Sequence, residues 1–156
     1  MSAFSRFLTL ATSLLMGVTM IPESHAEGPQ PPLPAVSLQM GLYLVKAEVA
    51  ASFDTRMQGL MFREKMGSNE GMLFVFPGAD QQCMWMRNTL IALSVAFIDE
   101  AGIILNIEDM KPKTEDSHCS AKPARYALEM NLGWFTSKNI RAGARLSGLE
   151  KAGPPR

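Results

Sequence analysis

Three short stretches of the chain hold side chains able to recognise or transform a ligand. In the first, Arg56, Leu60 and Arg63 stand at i, i+4 and i+7, which places both guanidinium groups on one face of a helix. A guanidinium is a planar fork suited to carboxylate or phosphate. Two neighbouring forks repel unless they share an anion or pair separately. In the second stretch, Trp85-Met86-Arg87-Asn88-Thr89, an aromatic plane precedes amide and hydroxyl groups at the end of a strand. In the third, Glu129 and Asn131 lie two apart on a strand and share a face, opposite Tyr126, Leu128 and Met130. Glu129 is the best single acid or base candidate, because burial would raise its pKa. Combined, these groups suit a small polar ligand, saccharide-like or anionic. Arg56 and Arg63 would neutralise it, Asn88, Thr89, Glu129 and Asn131 would hydrogen-bond it, and Trp85 would stack on it. A structural use competes at each position. The arginines can pair with carboxylates such as Glu129 or Asp99, Asn88 and Thr89 can hold a turn, and Glu129 and Asn131 can form a solvated strand face.

Two other chemistries compete with binding of a polar ligand. A hydrolase could use Glu129 as general base. Thioethers are soft ligands for Cu(I), so Met84, Met86 and His118 could form a copper site, although methionine more often fills gaps in a core. An exposed apolar patch could instead bind a partner protein in the cell envelope. The sequence holds no Cys-x-x-Cys, no Gly-rich phosphate loop and no Gly-x-Ser-x-Gly elbow, so no cofactor is expected. After residue 26 only His118 is left of the two histidines, which excludes a multi-histidine zinc site.

The elements that must position these residues fit into one domain. The chain has 156 residues, 47% of them hydrophobic and 19% charged, a globular composition. Fifteen basic groups balance fifteen acidic ones, leaving no electrostatic footprint for nucleic acid. Residues 1–26 read as a secretory signal. Arg6 precedes an apolar run that Pro22 ends, and Ser24-His25-Ala26 is a small-x-small cleavage site. The expected product is periplasmic or secreted, with no stable membrane span after cleavage. Residues 27–35 are a Pro-rich linker, 36–150 a single domain and 151–156 a tail. In an oxidising compartment the two cysteines, Cys83 and Cys119, are expected to pair.

Seven or eight short apolar segments, separated by turn signals every eight to twelve residues, predict a mainly β (α+β) domain. Its expected form is a small antiparallel sandwich or barrel. Strands are expected at 42–50, 72–76, 83–86, 93–99, 103–108, 126–131 and 145–149. Glu100-Ala-Gly102 would make a hairpin turn between the fourth and fifth of these. One helix of two to three turns should start at a Ser52 or Asp54 cap and carry Met57, Leu60 and Met61 as its apolar stripe. A second, short helical turn is expected at 134–139.

Five ordered motifs resemble the domain-of-unknown-function family 192. They are Thr55-Arg56-Met-Gln-Gly59-Leu60-Met61-Phe-Arg63, Gly71-Met72-Leu73-Phe74, Met84-Trp85-Met86-Arg87-Asn88-Thr89, Phe97-Ile98-Asp99 with Gly102-Ile103-Ile104, and Tyr126-Ala-Leu-Glu129-Met-Asn131-x-Gly133. The resemblance spans residues 40–148. Thr55 stands where the family often has an acidic residue, and Arg87 where it often has Lys. The resemblance implies a small, mainly β domain and carries no established reaction.

Overall fold

A computed structural model describes residues 28–156; the expected export signal lies outside the described residues. The chain runs through β1 (Ala35–Met40), β2 (Tyr43–Ala50), α1 (Phe53–Gln58), β3 (Glu70–Asp80), β4 (Cys83–Met84) and β5 (Leu93–Ile98). It continues with β6 (Ile104–Met110), β7 (His118–Cys119), β8 (Ala124–Asn131), α2 (Trp134–Ser137) and β9 (Leu146–Ser147). Seven strands form one curled sheet in the order β6-β5-β8-β3-β2-β1-β9, and β4 pairs with β7 in a separate two-stranded ribbon. The protein is thus a small β-rich α+β domain. No helix of the described residues is long and apolar enough to cross a membrane.

Period-two alternation assigns side chains to the two faces of this sheet. On β3, Leu73 and Val75 enter one core cluster, with Leu128 and Met130 of β8 and Ala96 and Ile98 of β5. The intervening Met72, Phe74 and Phe76 enter a second cluster, with Ala127 of β8 and Leu93, Val95 and Phe97 of β5. Trp134 and Phe135 of α2 cover the first face. Leu60 and Met86, from the segments after α1 and β4, pack on the second. The central strands β5, β8 and β3 therefore read as nearly continuous apolar runs, as strands covered on both sides must.

The expected antiparallel arrangement holds for β1–β2, β3–β8, β5–β6 and β5–β8, but β2 and β3 are parallel. The cause is the crossover through residues 51–69. A parallel return needs a connection too long for a hairpin, and this one contains α1. The helix itself is shorter than expected. Ser52 caps it, its hydroxyl accepting from the Thr55 N–H while the Thr55 side chain bonds back to the Ser52 N–H. Gly59, at φ +50°, ends it after Gln58. Strand β3 runs past Pro77 with a register shift between Val75 and Asp80. The hairpin between β5 and β6 turns at 99–102 as expected, where the Asp99 carboxylate accepts from the Ile103 N–H.

The segments flanking the domain make specific contacts. Gln30 is buried, and its amide donates to the carbonyls of Thr55 and Gly59. The Leu33 N–H donates to Glu48, and the Arg156 N–H to the Ala51 carbonyl.

A Cys83–Cys119 disulfide joins β4 to β7 across 36 residues of sequence. Each of these strands has two residues, too few for a ribbon that supports itself. Closing a loop of this length should stabilise the fold by about 4 kcal/mol in the chain-entropy model. The Cys83→Ser/Cys119→Ser double variant should lose stability of that order in urea unfolding. An unchanged midpoint would show that the bridge constrains nothing.

Candidate functional site

Glu129 lies at the centre of the sheet. Its partners in register are Met72 on β3 and Val95 on β5, both fully buried. Backbone closeness is part of this packing: a Cβ at Gly71 would stand 2.5 Å from the Glu129 carbonyl oxygen. Alternation turns the Glu129 side chain to the second core face, where it is 3% exposed. No described residue forms an ion pair with its carboxyl, and burial alone pushes the pKa up to about 8. At neutral pH the group is a carboxylic acid with a proton to donate.

That carboxyl opens onto a cavity of about 300 Å³. The cavity lies between the second sheet face, α1 with the turn after it, and the start of the ribbon segment. Phe74 and Phe76 come from β3. Phe53, Arg56, Met57 and Gln58 come from α1, and Leu60 and Met61 follow it. Gln82, Cys83, Met84, Trp85 and Thr89 complete the wall. Thioethers and aromatic rings dominate. The polar side chains are Arg56, Gln58, Gln82, Thr89 and Glu129, of which only Arg56 and Glu129 titrate.

Arg56 is fixed by its backbone surroundings. One nitrogen, Nη1, donates to the Ala51 carbonyl at 2.5 Å and to the Val75 carbonyl at 3.1 Å. No acidic side chain of the described residues forms an ion pair with it, and burial lowers its pKa. Its other nitrogens make no hydrogen bond to the described residues. The anion fork expected of paired arginines does not form, because Arg63 is committed elsewhere. Its two terminal nitrogens reach Glu48 at 2.6 and 2.7 Å in a bidentate pair. Burial acts to raise the Glu48 pKa, but hydrogen bonds from Arg63 and the Leu33 N–H, with the charges of Arg63 and Lys46, hold it below the ordinary value. In return the bond to Glu48 raises Arg63. This pair fastens β2 to the turn after α1, away from the cavity.

The other expected site residues divide. Trp85 stands at the lip, 40% exposed, and Thr89 is buried in the wall. Asn88 has φ +57°, and its carbonyl accepts from the Phe62 N–H, so it shapes a turn outside the cavity. The Asn131 amide donates to the carbonyls of Met66 and Gly67, holding the loop before β3. Met84 lines the cavity and Met86 is buried in the second core cluster, while His118 faces Met84 across the ribbon. The strand expected at 83–86 ends at Met84. Arg87 folds 5.8 Å over the Trp85 ring and reaches Glu115 at 3.6 Å. The apolar lining (Phe53, Met57, Met61, Phe74 and Phe76) was not among the expected site residues. Met57 and Met61 read as a core stripe, yet Met57 is half exposed.

Glu129 gives stability a defined pH dependence. Between its ordinary value of 4.5 and about 8, the folded chain keeps a proton that the unfolded chain gives up. Stability from this group is therefore complete below pH 4.5 and falls as pH rises towards 8, by on the order of a few kcal/mol in all. Glu129→Gln should flatten that slope in denaturant titrations across pH 5–9, and the variant should be the more stable protein at pH 9. A slope that survives in the variant would contradict the assignment.

Comparisons with known proteins support the fold and leave the chemistry open. No curated protein matches the chain. A crystal structure of a proposed transcription regulator from Sinorhizobium meliloti is 34% identical, with a TM-score of 0.69 over 74% of this chain and 92% of that one. A protein of unknown function from Novosphingobium aromaticivorans is 30% identical, with a TM-score of 0.71 over 80% of this chain and 94% of that one. The family model DUF192, described as an uncharacterised ACR, matches residues 36–148. On that match, which confirms the resemblance carried by the five motifs, the chain belongs to the DUF192 family.

Proposed function

We propose that this protein is an exported binding module for a small amphipathic ligand, held in the cavity beneath Trp85. The observation that carries this reading is the Glu129 carboxyl: buried, without a side-chain partner among the described residues, and facing a hollow with largely apolar walls. A buried polar group normally has a hydrogen-bond partner. A ligand would supply the missing one. The walls would take its apolar body and Arg56 an anionic or acceptor group, with Thr89 close by. The composition of the lining favours an amphipathic anion over a saccharide. A sugar needs polar partners around its ring, and Arg63 and Asn131 are engaged elsewhere while Asn88 lies outside the lining. Binding is also favoured over hydrolysis by a general base, which must be ionised, whereas burial keeps Glu129 protonated at neutral pH. The signal-like N-terminus and the disulfide support export.

A thermal-shift screen of the purified protein against apolar carboxylates, amino acids and saccharides tests this. A ligand at one hundred times its Kd stabilises the fold by about 2.7 kcal/mol. Amphipathic compounds should raise the melting temperature and saccharides should not. Met57→Trp and Met61→Trp, at the rim of the cavity, should abolish the shift while leaving the unliganded protein folded. Shifts that persist in both variants, or a screen without any shift, would overturn the reading.

A further inference from the structure

The cavity holds one cationic and one acidic side chain that do not pair with each other. In ordinary packing an arginine and a glutamate lining one small hollow would form an ion pair, since leaving either without a partner is costly. Here Arg56 is pinned to two backbone carbonyls, and no cation of the described residues pairs with Glu129. An ion pair would bring a guanidinium nitrogen within 4.0 Å of the carboxyl, and no such pair occurs among the described residues. The two groups therefore sit apart, each with capacity for a partner, with the rings of Phe74, Phe76 and Trp85 and the thioethers of Met57 and Met61 lining the same hollow. Aromatic faces also favour a cation at close range.

We propose that the cavity binds a small zwitterion with an apolar body, its carboxylate on Arg56 and its ammonium group at Glu129. This rests on the reading of the cavity as a ligand site and names the ligand's class: a free apolar amino acid, an ω-amino acid or a short apolar peptide. The carboxylate completes the guanidinium fork that the backbone leaves half used. When the ammonium group arrives, Glu129 gives its proton to solvent and becomes the counter-ion. A ligand bearing only a carboxylate would leave Glu129 protonated, as a donor to a neutral acceptor or as an unmatched acid.

Isothermal titration of the purified, disulfide-bonded protein at pH 7 separates these cases. The probes are L-leucine, L-methionine, L-phenylalanine, 6-aminohexanoate and the dipeptide Leu-Leu, each beside analogues lacking either the amino or the carboxylate group. At least one zwitterion should bind ten times more tightly than both of its analogues. Its apparent enthalpy should differ between phosphate and Tris as release of close to one proton requires. Glu129→Gln should bind the zwitterion and its carboxylate analogue equally and release no proton. If the carboxylate analogues bind as tightly as the zwitterions, without proton release, the proposal fails while the cavity remains a binding site for anions. If no probe binds, the proposal fails, and the broader screen decides the fate of the site itself.

Discussion

The burial of one carboxyl group between two apolar strands sets the terms for the rest of this structure. Glu129 stands on β8, an interior strand of the sheet, with Met72 on one side and Val95 on the other. Sealed by apolar packing alone, such a group would only cost stability. It faces a hollow instead, and the local architecture keeps that hollow open. The cover over this part of the sheet is short: a helix of six residues, the turn after it, and the segment from Gln82 to Thr89. These pieces meet at Leu60 and Met86, which reach the core, and leave space over Glu129.

Each piece of the cover is held by an interaction of its own. The Arg63–Glu48 pair and the Asn131 amide anchor the residues after α1. Gln30 ties the helix end to the N-terminal segment. The Cys83–Cys119 bridge fastens the opposite wall to the polar loop at 111–123. Arg63, Asn131 and Gln30 are thus spent on holding the cover, whereas the two titratable groups that face the hollow, Arg56 and Glu129, form no ion pair among the described residues. That division is the physical basis for reading the cavity as a site, because the supporting groups are bonded within the fold and the facing carboxyl has no side-chain partner among the described residues.

Much of the fold was legible from local sequence. The Ser52 cap and the turn at Glu100-Ala-Gly102 are encoded within a few residues, and the cysteine pair is expected from the signal-like N-terminus. The facing direction of Glu129 followed from alternation with Tyr126, Leu128 and Met130. What escaped depends on contacts between distant segments. The parallel pairing of β2 and β3 is set by a crossover whose path no local spacing encodes. Arg63 finds Glu48, fifteen residues upstream, because that crossover brings them together. Helical spacing put Arg56 and Arg63 on one face, but the helix stops at Gln58, so the spacing never applied. The strand expected at 83–86 likewise stops short, at Met84. The methionines at 57 and 61 have the periodicity of a core stripe, and the short cover over the sheet leaves them beside a hollow.

The protonation of Glu129 can be measured without any ligand. Carbon-detected nuclear magnetic resonance of the side-chain carboxyl, assigned by its loss in Glu129→Gln, follows the group directly through a pH titration. This account predicts a midpoint near 8 in the free protein, far above the ordinary carboxylate range. A midpoint near 4.5 would show an ionised, solvated or ion-paired group and would contradict the central claim.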